Sequence, residues 1–195
     1  MSIVLSYVDT EKAIVASDGL VSNENKDAVF CNEIKVFRIN QNVLLGFAGH
    51  LSSCLRIADR FINPSPENKP IIDIISVNDA GAVIQNCIAS LPNLEKCAFL
   101  ICGKGDNGKP CSACITSAGE YGLKYATIPG QVIYYALCPD EFLNGAELFK
   151  THILQHQTDI KYAMQLTIDK AADISPTVNY QHYFQEIYFI KSLLI

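Results

Sequence analysis

The chain has 195 residues, of which 49% are hydrophobic and 18% charged, and it carries a net charge of −5 with a pI near 5.3. That length fits a single domain over residues 1–195 with a substantial core. The acidic balance argues against nucleic-acid binding, which normally requires a basic face. No apolar run approaches the roughly 18 residues of a membrane span, so we expect no membrane association.

Eight cysteines are scattered along the chain, most of them inside apolar runs. This pattern favours buried free thiols in a reducing compartment over the disulfide framework of a secreted scaffold. The start of the chain has no basic leader, and the charged residues Asp9, Glu11 and Lys12 interrupt its apolar run, so we expect no signal peptide. The sequence therefore predicts a cytoplasmic protein.

The first part of the chain predicts two hairpins followed by a helix. Four short apolar runs form the hairpins, at residues 2–8, 12–18, 35–40 and 43–48. Because these runs are apolar on both faces, we expect a sheet that is covered on both sides. An apolar stripe then predicts a helix from His50 to Ile62, which the prolines at 64 and 66 end.

The second part of the chain predicts three more helices and five more strands. A second helix is expected over residues 71–91, with Asp79-Ala80-Gly81 as the place where it could break. Further elements follow in the order of four strands (97–102, 112–117, 123–127 and 131–137), two helices (140–156 and 159–172) and a closing strand (183–190). This order indicates an α+β fold with stacked sheets between helical layers.

Polar residues at the ends of the first strands are the strongest functional signal. Ser2 becomes the chain terminus if Met1 is removed, Asp18 ends the second run, Lys35 begins the third, and Gly49 ends the fourth. Period-2 alternation places Lys35 on the face of apolar neighbours, where a lysine needs a partner. Each residue alone has an ordinary structural explanation, so the hypothesis of a site depends on their joint spacing.

Three segments carry a resemblance to a known family: Ser17-Asp18-Gly19-Leu20, Lys35-Val36-Phe37-Arg38-Ile39 and Leu45-Gly46-Phe47-Ala48-Gly49. They resemble the proteasome β-subunit family of N-terminal nucleophile (Ntn) hydrolases, a threonine-type peptidase family, and most closely its HslV type. The separations from Ser2 to Asp18 and from Lys35 to Gly49 also agree with the family. The resemblance implies a four-layer αββα sandwich with two antiparallel sheets between helical layers.

The resemblance also implies roles for individual residues. Ser2 would be the nucleophile, and its α-amine, with an unperturbed pKa of about 7.7–8.0, would be the base. Lys35, held by Asp18, would favour the neutral amine and stabilise the deprotonated oxygen. The amide of Gly49 would donate to the developing oxyanion. Leu20, Val21 and His50 would line the substrate pocket, and no cofactor or metal is expected.

Further implications of the resemblance are proteolysis of peptide or protein substrates, a homo-oligomeric ring, and an ATP-dependent unfoldase as partner. Several features depart from the family, and the first is Ser2 itself, because members usually expose a threonine. Pro139 stands where relatives have a serine near the nucleophile, which leaves Asp140 as the expected N-cap of the next helix. The supporting aspartate and serine of the family find a match in Asp173 and Ser175, with a spacing one residue shorter than usual.

Two other interpretations remain open at this point. The altered turn at Cys138-Pro139-Asp140 favours a catalytically inactive subunit that keeps the fold for assembly or binding. A metal protein is the third alternative, because Cys111 and Cys114 form a Cys-x-x-Cys pair and Cys97 and Cys102 lie nearby in the sequence. Their unmatched spacing argues against zinc.

Overall fold

The computed structural model describes residues 2–23, 25–62, 76–90, 96–119 and 121–189. Its strands are β1 Val4–Val8, β2 Lys12–Ser17, β3 Val21–Ser22, β4 Ala28–Phe30, β5 Val36–Arg38, β6 Val43–Gly49, β7 Cys97–Lys104, β8 Pro110–Thr116, β9 Tyr121–Tyr125, β10 Ile133–Leu137 and β11 Tyr183–Tyr188. Its helices are α1 Leu51–Ile62, α2 Val77–Ala89, α3 Gly145–Gln155 and α4 Ile160–Ile174.

Two antiparallel sheets form the centre of the molecule. One has the strand order β10-β1-β2-β11 and the other the order β5-β6-β7-β8-β9, while β3 and β4 form a separate ribbon. In the first sheet, Val4 lies opposite Ser17 of β2 on one side and opposite Leu137 of β10 on the other. This register brings the start of β1 next to the end of β2 and the residues that follow β10.

Three apolar clusters join four layers. The cluster between the sheets includes Val4 and Val15 from one sheet and Leu44 and Leu100 from the other. Side chains of α1 and α2, such as Ile57 and Ile84, pack on the outer face of the five-stranded sheet. Side chains of α3 and α4, such as Phe149 and Met164, pack on the outer face of the four-stranded sheet. The αββα sandwich is thereby confirmed.

The predicted helix over 71–91 needs correction where the structure describes it, since residues 71–75 and 91 lie outside the described residues. Helix α2 begins after Ser76, whose side chain accepts from the Asp79 amide while the Asp79 carboxylate accepts from the Ser76 amide. This capping box fixes the start of the helix. The helix does not break at Gly81, where the absence of a side chain admits the Tyr121 ring.

The predicted helix over 140–156 starts too early. Phe142 N donates to Pro139 O over 2.9 Å, which closes a turn, and α3 begins only at Gly145, with Asn144 as its N-cap. Asp140 is therefore not an N-cap, contrary to the prediction from sequence. The short ribbon of β3 and β4 was not predicted from the sequence, and all three residues of its second strand are exposed. Within the described segments, none of the helices has the length and apolar character that crossing a bilayer requires.

Candidate active site

A buried ion pair joins the end of β2 to the residue that precedes β5. Lys35 Nζ lies 3.1 Å from Asp18 Oδ1, and the two side chains are 3% and 0% exposed. Burial raises the pKa of Asp18, and the Lys35 charge opposes that rise. Burial likewise lowers the pKa of Lys35, and the Asp18 charge opposes that fall. Each charge is thus the main compensation for the desolvation of the other.

Backbone amides hold the Asp18 carboxylate in place. Ile3 N donates to Oδ1 over 3.2 Å and Leu20 N donates to Oδ2 over 2.9 Å. Asp18 N in turn donates to Ile3 O over 3.4 Å, which extends the pairing of β1 and β2 toward the start of the chain. Asp18 therefore fixes both the lysine and the backbone that carries Ser2.

The carbonyl of Leu20 brings Ser2 and Lys35 together. Lys35 Nζ donates to Leu20 O over 2.6 Å, and Ser2 Oγ donates to the same oxygen over 3.3 Å. Both donors lie within hydrogen-bond distance of one oxygen, so the hydroxyl of Ser2 and the ammonium of Lys35 border the same carbonyl. The sequence carries no signal for this contact, because any residue at position 20 would supply the same carbonyl.

Gly49 occupies a position that only glycine fits. Its φ is +123°, and a Cβ there would lie 2.0 Å from Lys96 O. Phe47 N donates to Lys35 O over 3.1 Å, toward the β5 side of β6. Alternate amides of a strand point to the same side, so the Gly49 amide, two residues after Phe47, also points to the β5 side of β6. Strand β5 begins at Val36, opposite Gly46, and does not extend as far as Gly49. That direction leads to the cavity on which Ser2 and Lys35 lie.

This cavity has a volume of about 710 Å³. Six of the residues predicted from sequence line it: Ser2, Leu20, Val21, Lys35, Gly49 and His50. Asp18 lies beneath the wall, in contact with Lys35. Asp140 also lines the cavity. The sequence predicts only a capping role for this aspartate, and no motif in the sequence indicates that it lines the cavity.

His50 lies at the entry to α1, where its backbone is held at both ends. Its amide donates to Lys96 O over 2.8 Å and its carbonyl accepts from Cys54 N over 3.0 Å. The ring nitrogen Nδ1 lies 3.0 Å from Ser53 Oγ and 3.2 Å from Ser52 Oγ. These contacts orient the imidazole at the rim of the cavity, directly after the amide of Gly49.

The remaining two residues of the predicted site lie elsewhere. Asp173 accepts from Tyr180 Oη over 2.8 Å and from Lys170 Nζ over 3.4 Å, at an exposed position. Ser175 is buried, and its hydroxyl lies 3.1 Å from Glu141 Oε2 and 2.9 Å from Thr177 Oγ1. Ser175 is thus joined to the turn that contains Asp140, whereas Asp173 contacts Lys170 and Tyr180 and does not line the cavity.

The cysteines considered as metal ligands are divided between two faces of one sheet. Cys97 and Cys111 belong to the core beneath α1 and α2. Cys102 and Cys114 pack in the core between the sheets. Burial raises the pKa of Cys111 to about 12, which keeps its thiol protonated. No group of three metal-ligating side chains is found within the described part of the chain.

Comparison with known proteins supports the fold. No protein-family model matches the sequence, and no match to a curated protein is found. Anbu (ancestral beta-subunit) from Yersinia bercovieri superposes with a TM-score of 0.67 at 13% identity, over 95% of this chain and 81% of that one. HslV from Trypanosoma brucei superposes with a TM-score of 0.65 at 15% identity, over 96% and 99%. The chain therefore has an HslV-like proteasome β-subunit fold of the Ntn type.

Proposed function

We propose that this protein is an N-terminal nucleophile hydrolase that cleaves amide bonds of peptides, with Ser2 as the nucleophile after removal of Met1. The observation that carries the proposal is the convergence of Ser2 Oγ and Lys35 Nζ on the carbonyl of Leu20, with Asp18 beneath them. A buried cation beside a hydroxyl is the arrangement that favours deprotonation of the hydroxyl. The cavity at the same place offers room for a substrate.

In the proposed reaction, Ser2 Oγ leaves the Leu20 carbonyl and attacks the carbonyl carbon of the scissile bond. The proton of the hydroxyl passes to the α-amine of Ser2, and the negative charge that develops on the substrate oxygen is stabilised by the amide of Gly49. The α-ammonium then gives its proton to the leaving amine as the C–N bond breaks. Water hydrolyses the resulting ester and frees the Ser2 hydroxyl.

The charge of Lys35 serves two steps of this scheme. It disfavours a second positive charge nearby, so the α-amine of Ser2 is neutral at lower pH and ready to act as base. It also stabilises the serine oxygen as its proton leaves. Asp18 keeps the ammonium of Lys35 directed at Leu20 O and Ser2 rather than at solvent, which burial of the pair supports.

Assembly and location follow as further parts of the proposal. The proteasome-type fold favours a homo-oligomeric ring in which the cavities face an inner chamber, and proteins or unfolded peptides as substrates. An ATP-dependent unfoldase as partner and a cytoplasmic location are parts of the same proposal. Light scattering of the purified protein measures the number of subunits directly, and a monomer at micromolar concentration would contradict the ring.

The decisive test compares Ser2→Ala with Ser2→Thr in mature protein whose first residue is shown by intact-mass measurement. Thr keeps a hydroxyl on the terminal residue, so we expect Ser2→Thr to hydrolyse peptide substrates and to be labelled by a hydroxyl-directed covalent probe. Ser2→Ala is expected to lose both activities while its circular dichroism stays unchanged. Hydrolysis by Ser2→Ala, or Met1 retained in all molecules of the native protein, would contradict the proposal.

A second candidate function is a catalytically inactive subunit with a role in assembly or binding. Pro139 favours it, because the residue next to the cavity-lining Asp140 offers neither a hydroxyl nor an amide hydrogen. An inactive subunit would form the same oligomer as the active candidate but would leave the probe unreacted, even when Ser2 is the first residue. The labelling experiment therefore separates the two candidates.

A further inference from the structure

The direction of the Ser2 nitrogen follows from its neighbour in the chain. Both backbone polar groups of Ile3 face Asp18. Ile3 N donates to Asp18 Oδ1, and Ile3 O accepts from Asp18 N. In an extended chain, the polar backbone groups of successive residues point to opposite sides. The nitrogen of Ser2 therefore points away from β2, toward the side on which β10 pairs with β1.

The register of β1 and β10 determines what lies on that side. Val4 lies opposite Leu137 in this antiparallel pair, and the residues before Val4 run alongside those after Leu137. Continuing this register places Ser2 level with Pro139, next to Asp140. Both Ser2 and Asp140 line the same cavity. The fold thus brings an exposed carboxylate to the side of the chain on which the Ser2 nitrogen lies.

Asp140 is a carboxylate of this region on which the Lys26 charge acts without forming a salt bridge with it. Its neighbour Glu141 is paired with Lys26, and Asp18 is paired with Lys35. Among the described residues Asp140 takes part in no ion pair. The charged and titratable groups around the Ser2 nitrogen and the turn include Asp18, Lys26, Glu33, Lys35, His50, Lys96, Asp140 and Glu141.

We propose that Asp140 is the counter-ion of the Ser2 α-ammonium and holds its nitrogen beside Ser2 Oγ once Met1 is removed. The proposal deepens the proposed function, since it rests on Ser2 as the first residue. The carboxylate accepts a hydrogen bond from the protonated amine and fixes its rotation about the N–Cα bond. Asp140 is thereby a positioning residue, which acts on the substrate through the amine.

The two charges that flank the amine act in opposite directions. Lys35 disfavours the ammonium form, while Asp140 stabilises it. The reaction needs both effects, because the amine must be neutral before the attack and must hold the proton afterwards. Without Asp140 the amine becomes a weaker base: it is neutral at lower pH, but it accepts the proton of Ser2 less readily.

The experiment measures the titration of the Ser2 amine itself, apart from turnover. The chain is produced as a fusion whose cleavage leaves Ser2 first, labelled with ¹³C-serine, and the Ser2 signal is identified by its loss in Ser2→Thr. We expect the α-amine pKa to be about 1 lower in Asp140→Asn than in the wild type. Asp140→Glu, which keeps the charge, is expected to restore most of the difference.

A matched control removes a carboxylate outside the cavity. Glu147 on α3 is 78% exposed and lies 3.8 Å from Lys150 Nζ, so Glu147→Gln is expected to leave the Ser2 titration unchanged. An unchanged amine pKa in Asp140→Asn would overturn the proposal, as would an equal change in Glu147→Gln. If the pKa moves as expected but no peptide is cleaved, the role of Asp140 stands and the proposed hydrolase activity fails.

Discussion

Lys35 Nζ and Asp18 Oδ1 lie 3.1 Å apart in a region that solvent barely reaches. Such a pair contributes little net stability on its own, because the attraction between the charges largely repays the desolvation of both. Its effect on the site is geometric. Asp18 also accepts from the amides of Ile3 and Leu20, so one carboxylate sets the positions of the lysine, the start of β1 and the carbonyl that Ser2 contacts.

The first prediction concerns stability. We expect Asp18→Asn and Lys35→Met each to lower the free energy of unfolding by about 3–5 kcal/mol, because each leaves an uncompensated buried charge. The double variant is expected to lose clearly less than the sum of the two, since neither charge is then present. Urea unfolding followed by circular dichroism measures all three. Additive losses in the double variant would show that the two charges do not interact.

The second prediction concerns the pH dependence of kcat/KM. The rate is expected to rise with pH as the α-amine of Ser2 loses its proton, with a midpoint near or below about 8 because Lys35 disfavours the ammonium. It is expected to fall again as Lys35 loses its proton. Burial lowers the pKa of Lys35 from its ordinary value of 10.5, so this fall begins below that pH.

The same profile tests the role of Asp18. The Asp18 charge raises the pKa of Lys35 against the effect of burial, so its removal lowers the pKa further. In Asp18→Asn we therefore expect the fall in kcat/KM to move to lower pH, measured in the folded protein. A fall that stays in place or moves to higher pH would mean that Lys35 is not the group that titrates on the alkaline side.

The third prediction compares two glycines that both have positive φ. Gly49 has a φ of +123° and a Cβ there would meet Lys96 O at 2.0 Å, whereas Gly108 has a φ of +72° with nothing within 4 Å. Gly108→Ala is expected to lower the free energy of unfolding only through backbone strain, by about 1–3 kcal/mol. Gly49→Ala adds a collision with backbone, so we expect a larger loss of thermal stability and loss of hydrolysis.

Peptide hydrolysis and thermal unfolding of the two variants provide the comparison. Gly108 lies in the loop between β7 and β8, so Gly108→Ala is expected to keep the wild-type rate at a temperature where it is folded. A Gly49→Ala variant with wild-type kcat would show that the direction of the Gly49 amide does not matter to the reaction. Equal stability of the two variants would contradict the close approach of Lys96 O.

The sequence predicted those parts of the site that depend on side-chain type at strand ends. Asp18, Lys35 and Gly49 are marked by charge or by glycine against apolar runs, and the structure places all three at or beneath one cavity. The carbonyl of Leu20 could not be predicted, because a backbone acceptor has no signature in the sequence. The sequence predicts Asp140 at a helix end because an aspartate is typical of an N-cap, whereas the structure has a turn from Pro139 to Phe142.

For the fold, apolar runs predicted most strands but not the details that depend on contacts between distant residues. The helix around Gly81 is the clearest case. A glycine after Asp79 and Ala80 suggests a break, yet the helix continues because Gly81 packs closely against Tyr121, which comes 40 positions later in the sequence. The signal that was available locally is the capping box of Ser76 and Asp79, which marks the start of α2.

The last prediction concerns the network that holds the turn next to the cavity. Glu141 bonds Lys26 on one side and Ser175 on the other, and the Lys26 contact lowers the pKa of Glu141 to about 2. A carboxyl with a lowered pKa stabilises the fold above its unfolded pKa, and this contribution is lost as the pH falls through the folded pKa. Because solvent screens this exposed pair, the contribution is expected to be small.

We therefore expect Glu141→Gln to be slightly less stable than the wild type at pH 7 and equally stable at pH 2, with the difference disappearing between about pH 4 and pH 2. Urea unfolding at a series of pH values measures this difference. Glu147→Gln is the matched control, because its partner Lys150 is 3.8 Å away and both side chains are well exposed. A difference for Glu141→Gln that persists unchanged at pH 2 would mean that the lost stability comes from packing of the turn rather than from the charge of Glu141.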